Sequence, residues 1–83
     1  EREARSAPAG SIEISARNQL RARVVSVLAE GLMAEVRLAI GDQELTSVIT
    51  RRSAERLDLR AGDRVYAVIK STEVMIGKER ETA

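Results

Sequence analysis

Leu32-Met33-Ala34-Glu35-Val36-Arg37-Leu38-Ala39-Ile40 is the stretch whose pattern decides the fold. Leu32, Ala34, Val36, Leu38 and Ile40 fall on one side, with Met33, Glu35 and Arg37 opposite. A period of two over this length predicts a strand with one covered face. Glu30-Gly31 makes a turn before it and Gly41-Asp42 closes it. Upstream, Leu20, Ala22 and Val24 alternate with Arg21 and Arg23, and then Val25 and Val27 place apolar groups on the other face. That phase change predicts a bulge, or a strand covered on both sides. Downstream, Leu45 to Thr50 is a β-branched strand. Residues 50–57 read as a short helix capped by Thr50, with Ala54 and Leu57 facing the core. Arg60-Ala61-Gly62-Asp63 is a turn, Val65 to Ile69 a fourth strand and Val74-Met75-Ile76 a fifth. Ser11-Ile12-Glu13-Ile14 alternates briefly and adds a further short strand. Five or six short strands, one brief helix and tight glycine turns predict an all-β fold, a small closed or nearly closed barrel. Val65 to Ile69 is apolar on both faces, which a barrel this small cannot cover alone, so an oligomer interface is expected.

Eighty-three residues allow one domain with a modest core. It is read as residues 12–78, between a mobile tail or linker over 1–11 and a charged tail over 79–83. Hydrophobic residues make up 43% and charged residues 33%, the balance of a soluble globular module. No apolar run reaches transmembrane length and no signal-peptide pattern is present, so a cytoplasmic place with no membrane insertion is expected. The chain has no Cys and no His, which excludes a disulfide framework, an imidazole triad and the usual zinc set. No Asp-x-Asp-x-Asp loop offers a cation site. Fourteen basic residues stand against thirteen acidic ones, leaving no broad electrostatic footprint for DNA. Tyr66 is the one aromatic residue, whereas barrels that bind single strands stack bases on aromatic faces. No nucleophile–base pair, metal-ligand cluster or phosphate loop can be assembled, so neither an enzyme nor a cofactor is expected.

What remains is a donor set. Ser15-Ala16-Arg17-Asn18-Gln19-Leu20 gathers a hydroxyl, a guanidinium and a carboxamide just before the first long strand. An oxyanion offers only acceptors, and Arg meets it with a planar fork of N–H groups. Turn chemistry alone also accounts for a Ser/Asn-rich segment. Likewise Lys70 can reach to solvent, Thr50 and Ser53 can be plain helix caps, and Arg17 can pair with any nearby carboxylate.

The Ser15-to-Leu20 stretch and the Val-Val strand after it resemble the opening of the molbindin (Mop, or TOBE) family of molybdate-binding domains. Gly62-Asp63-Arg64-Val65-Tyr66-Ala67-Val68-Ile69-Lys70-Ser71-Thr72-Glu73-Val74-Met75-Ile76-Gly77 is similar to that family's closing strands. Val48-Ile49-Thr50 and the helix through Ser53 match in order and spacing. The resemblance runs from about Ile14 to Lys78. It implies an OB-like five-stranded barrel that binds molybdate, and often tungstate, without converting it. It also implies hexamers, built as trimers of dimers, with the ligand at subunit interfaces. Carried over, Ser15 and Arg17 hydrogen-bond the oxyanion, assisted by backbone N–H groups near Ala16 and Asn18. Lys70 adds its ammonium with Ser71 beside it, and Thr50 and Ser53 supply hydroxyls or amides at the mouth of the helix. Arg51-Arg52 departs from the less basic pair expected there.

The implied mechanism is selection by shape and donors. Burying a dianion requires positive charge and a full shell of donors, which one Arg, one Lys, hydroxyls and amides would supply. Sulfate, equal in charge but smaller, would then be refused on cavity size. Three settings fit such a domain: storage or homeostasis, the effector-binding part of a molybdate-responsive transcriptional regulator, and the C-terminal domain of a molybdate-importer ATPase. A ligand-free oligomerisation or docking module is the reading from another class.

Overall fold

The computed structural model describes residues 15–80. Four strands, β1 (Asn18–Glu30), β2 (Met33–Ile40), β3 (Gln43–Thr50) and β4 (Arg64–Ile69), form one antiparallel sheet in the order β3-β2-β1-β4. The helix α1 (Arg51–Arg56) lies between β3 and β4. The sheet curls into a half-barrel.

The period-two pattern of β2 translates directly into burial. Ala34, Val36 and Leu38 are buried, while Met33, Glu35 and Arg37 are exposed. Leu32 falls in the turn and is exposed. The phase change in β1 is a bulge. Val24 pairs with Leu38 and Ser26 with Arg37, which leaves Val25 as the extra residue. A bulge raises local twist, and here it falls where β1 passes from one partner to the other. Residues 18–23 pair with β4, and residues 23–30 pair with β2. The turn at residues 60–63 docks on the same point: Gly62 N–H donates to the Val24 carbonyl at 2.7 Å, and Val24 N–H to the Asp63 carbonyl at 2.9 Å. Ala22, Val24, Val36, Leu38 and Ala67 make the core, and Val24 is 1% exposed.

Helix α1 begins at Thr50, as its sequence predicts, and Ala54 is buried. Leu57 does not face the core: it is 64% exposed, because the helix stops at Arg56 and the chain reverses through Asp58 at φ 52°. Asp58 N–H donates to the Glu55 carbonyl and Leu59 N–H to the Ala54 carbonyl. That is the Schellman closure, in which the left-handed residue swings the following apolar residue onto the helix. Leu59, not Leu57, therefore packs against the core.

Among the described residues the sheet has four strands, where the sequence pattern counts five or six over the whole chain. Val74-Met75-Ile76 follows a single 3₁₀ turn at Ser71–Glu73 and makes no ladder. A strand needs a neighbour to hydrogen-bond. The outer edges of β3 and β4 carry no strand among the described residues, and Met75 and Ile76 stand 91% and 92% exposed. Ser11–Ile14 and the two tails, apart from residues 79 and 80, lie outside the described residues. The concave face is an open groove of about 700 Å³ lined by Val36, Leu38, Leu45, Ile49, Val65 and Ile69 among others. On β4, Ala67 is buried while its neighbour Val68 is exposed.

The left-handed Asp58 gives a stability test. Glycine has no Cβ to strain in that conformation, so Asp58→Gly is expected to raise unfolding free energy by about 0.5–1 kcal/mol in denaturant titrations. Destabilisation would show that the Asp58 Oδ1–Arg60 Nε contact at 3.2 Å outweighs the backbone term.

Candidate oxyanion site

Register places the first group of residues. Asn18 pairs with Ile69 and Gln19 with Val68 at the open end of the β1–β4 ladder. Arg17 and Lys70 are the next residues beyond that last pair, and neither they nor Ala16 and Ser71 belong to the ladder. The backbone at Lys70 remains extended (φ −70°, ψ 132°) before Ser71 starts the 3₁₀ turn. Arg17 and Lys70 each adjoin a residue of the last pair, so two cations stand at the same strand end. Like charges so placed repel one another, and a bound anion relieves that. Neither Arg17 nor Lys70 has an ion-pair partner among the described residues. The ion pairs there are Arg37–Glu44 and Arg60–Asp58, on the surface. Ser15, Arg17, Lys70 and Ser71 are exposed, and Ala16 and Asn18 are half-buried.

Thr50 and Ser53 lie elsewhere. Thr50 pairs with Met33, which pairs with Glu30 at the far end of β1. Thirteen residues of β1 separate the two groups, a contour of up to about 40 Å at the usual strand rise. Within one chain the sequence-predicted residues thus fall into two separate groups: Ser15, Ala16, Arg17, Asn18, Lys70 and Ser71 at one end, Thr50 and Ser53 at the other.

The second group is already hydrogen-bonded. Ser53 N–H donates to Thr50 Oγ1 at 3.0 Å, and the Thr50 hydroxyl donates to Ser53 Oγ at 2.8 Å. Thr50 is thus a true N-cap. Because Ser53 Oγ accepts from Thr50, its own proton is left to donate elsewhere. The helix mouth itself offers less than its sequence suggests. Arg51 N–H is taken by the Leu32 carbonyl at 2.8 Å and Ser53 N–H by the cap, and six residues build little dipole. Arg51 and Arg52 are both exposed beside it.

Neither concavity contains the Arg17–Lys70 end. The large groove is apolar, unsuited to a dianion. A smaller one of about 330 Å³ lies between Val27, Ala29 and the helix, with Arg51 and Arg60 at its walls. No cluster of three or more metal-ligating side chains occurs among the described residues. One residue of the quoted loop was passed over as a site residue: Gln19, whose Nε2 donates to the Ala16 carbonyl at 3.1 Å. The i to i−3 spacing of a carboxamide on a loop carbonyl is the signal that marks it.

Residues 14–76 match the TOBE domain family. The chain belongs to that family. It is 47% identical over 66 residues to molybdenum-pterin-binding protein 1 of Clostridium pasteurianum, covering 78% of this chain and 97% of that one. A solved molybdate-binding protein from Sporomusa ovata superposes with a TM-score of 0.77 at 37% identity, covering 81% of this chain and all of the other. The molybdenum transport protein ModE of Azotobacter vinelandii is 40% identical over 70 residues, which cover 83% of this chain and 26% of ModE. This TOBE domain therefore matches nearly the full length of one relative and a quarter of another.

The cap can be separated from any ligand role. Thr50→Ala is expected to cost about 1 kcal/mol of stability without ligand, and Thr50→Ser to retain most of it. Equal stability of all three proteins at one protein concentration would contradict the cap.

Proposed function

We propose that this TOBE domain binds molybdate, with tungstate as an alternative ligand, in sites shared between two copies of the chain. The observation that supports the reading is that Arg17 and Lys70 are the residues next beyond Asn18 and Ile69, the last pair of the β1–β4 ladder, with no ion-pair partner among the described residues. Two positive charges balance a tetrahedral dianion. The Ser15 and Ser71 hydroxyls and the Ala16 and Asn18 amides add donors from the same copy. Thr50 and Ser53 are too far along β1 to join them within one chain, so they serve the site of a neighbouring copy. The naming of relatives as molybdenum-pterin-binding and molybdate-binding proteins supports the choice of anion.

The open groove, the two sheet edges that no described strand pairs and the exposed Val74-Met75-Ile76 support self-association, and a hexamer built as a trimer of dimers is the assembly we infer. Binding without conversion, in the cytoplasm, completes the reading. Molybdenum storage or homeostasis is the first setting. The match to a quarter of ModE favours a second, in which the same domain senses the anion within a larger protein.

Calorimetric titration of the sized oligomer with molybdate, against sulfate as control, tests this. Molybdate is expected to bind and sulfate to remain silent, because in the proposed shared site discrimination between two equal charges rests on size. Arg17→Ala is expected to weaken molybdate binding by about 2–5 kcal/mol, as for removal of one member of a desolvated charge pair. Undiminished affinity in a folded, assembled Arg17→Ala protein would overturn the site, and silence toward every oxyanion would leave an oligomerisation module.

A further inference from the structure

Gln19 presents an imbalance. Its Nε2 donates to the Ala16 carbonyl at 3.1 Å, while its Oε1 is buried with no hydrogen-bond partner among the described residues. Leaving a buried acceptor unpaired costs stability, and an apolar side chain of similar shape would avoid that cost. A carboxamide cannot present its N–H₂ group without its carbonyl. The residue thus retains an unfavourable atom together with one well-placed donor, and that donor acts on the oxyanion loop.

The tether has a directional consequence. In a planar trans peptide the C=O and the following N–H point opposite ways. Holding the Ala16 carbonyl toward the Gln19 side chain therefore aims the Arg17 N–H away from it. The same bond sets the start of the Arg17 side chain, one residue beyond the last β1–β4 pair, Asn18 with Ile69. The β1 ladder begins only at Asn18, so residues 15–17 lie outside strand pairing. Gln19 itself is held in that ladder opposite Val68. A rigid strand position thus reaches back three residues and fixes a loop that carries donors but has no ladder of its own. Ser or Thr would be too short for this reach, and Lys would bring a further charge.

We propose that Gln19 is a positioning residue for the oxyanion site: its amide orients the Ala16–Arg17 peptide and pre-organises the loop, without itself touching the anion. This rests on the molybdate reading of that loop. Preorganised donors bind more tightly because the cost of ordering them is met before the ligand arrives.

Gln19→Met, which keeps length but removes both amide atoms, separates the role from general stability. Thermal unfolding without ligand is expected to be unchanged or to move upward, since the unpaired carbonyl is gone. Molybdate affinity is expected to fall about tenfold, the equivalent of one lost hydrogen bond in a desolvated site. Gln19→Glu, which keeps acceptors but loses the donor, is expected to lose affinity at least as much. In a double-mutant cycle with Arg17→Ala the losses are expected to be less than additive, because both act through one loop. NMR order parameters of the Ala16 and Arg17 amides are expected to fall in ligand-free Gln19→Met, with those of residues 22–27 unchanged.

Unchanged affinity in folded Gln19→Met, or additive losses accompanied by a lower melting temperature, would overturn the proposal. If the parent protein ignores molybdate, the functional reading fails and the order parameters decide for Gln19 alone. Unaltered values at Ala16 and Arg17 would then sink the tether as an ordering device.

Discussion

Register between β1 and β4 is the constraint on which the rest of the structure depends. In a ladder of period two, a slip of one residue exchanges the faces of the strand. The observed pairing of Leu20 with Ala67 and Ala22 with Val65 keeps Ala22 and Ala67 in the core. Arg17 and Lys70 lie directly beyond the last pair of that ladder, Asn18 with Ile69. The apolar pattern that fills the core therefore also sets the strand end at which the two proposed cations stand. A slip that spoiled the site would also bury arginine, so packing protects the placement of the charges. The turn at residues 60–63, bonded to both backbone groups of Val24, fixes where β4 begins and so secures that register.

The length of β1 is the second constraint. Its bulge lets one strand serve two partners in succession, but it also separates the Arg17 end from the Thr50 end. A chain organised this way cannot close all the expected donors around one small anion. Among the described residues it also leaves apolar groups exposed, including Val68, Met75 and Ile76, along with an open groove and two sheet edges that no described strand pairs. A second copy in the proposed assembly would answer both needs, covering apolar surface and supplying the Thr50 and Ser53 hydroxyls. In the proposed assembly, anion binding and subunit association are linked, since a ligand that binds only the assembled form stabilises it by mass action.

Much of this architecture was legible in the sequence because local patterns carry it. The alternation of Leu32 to Ile40, the phase change at Val25 and the Thr50 cap are each properties of a few adjacent residues, and each has its structural counterpart. What failed depended on partners further away. Val74-Met75-Ile76 has strand composition, but a strand is a relation between two segments, and composition does not supply the second. Leu57 has helical spacing to Ala54, yet the left-handed Asp58 ends the helix and gives the core position to Leu59. The separation of Thr50 and Ser53 from Arg17 was likewise invisible, because a motif's order along the chain does not reveal which end of a long strand each part occupies. Gln19 sat in plain view, but its side-chain bond to Ala16 emerges only once the loop folds back.

The most direct test of the shared site is complementation between two defective copies. Arg17→Ala removes a cation from one half-site, and Ser53→Asp sets a negative charge in the other at a helix position that tolerates it. Each protein alone is expected to lose tight molybdate binding. Refolded together in equal amounts, they are expected to regain about a quarter of the parent's sites at native affinity, because each isologous mixed dimer contains one site with both halves intact. Mixed oligomers that form but regain no binding would contradict a site built from two copies.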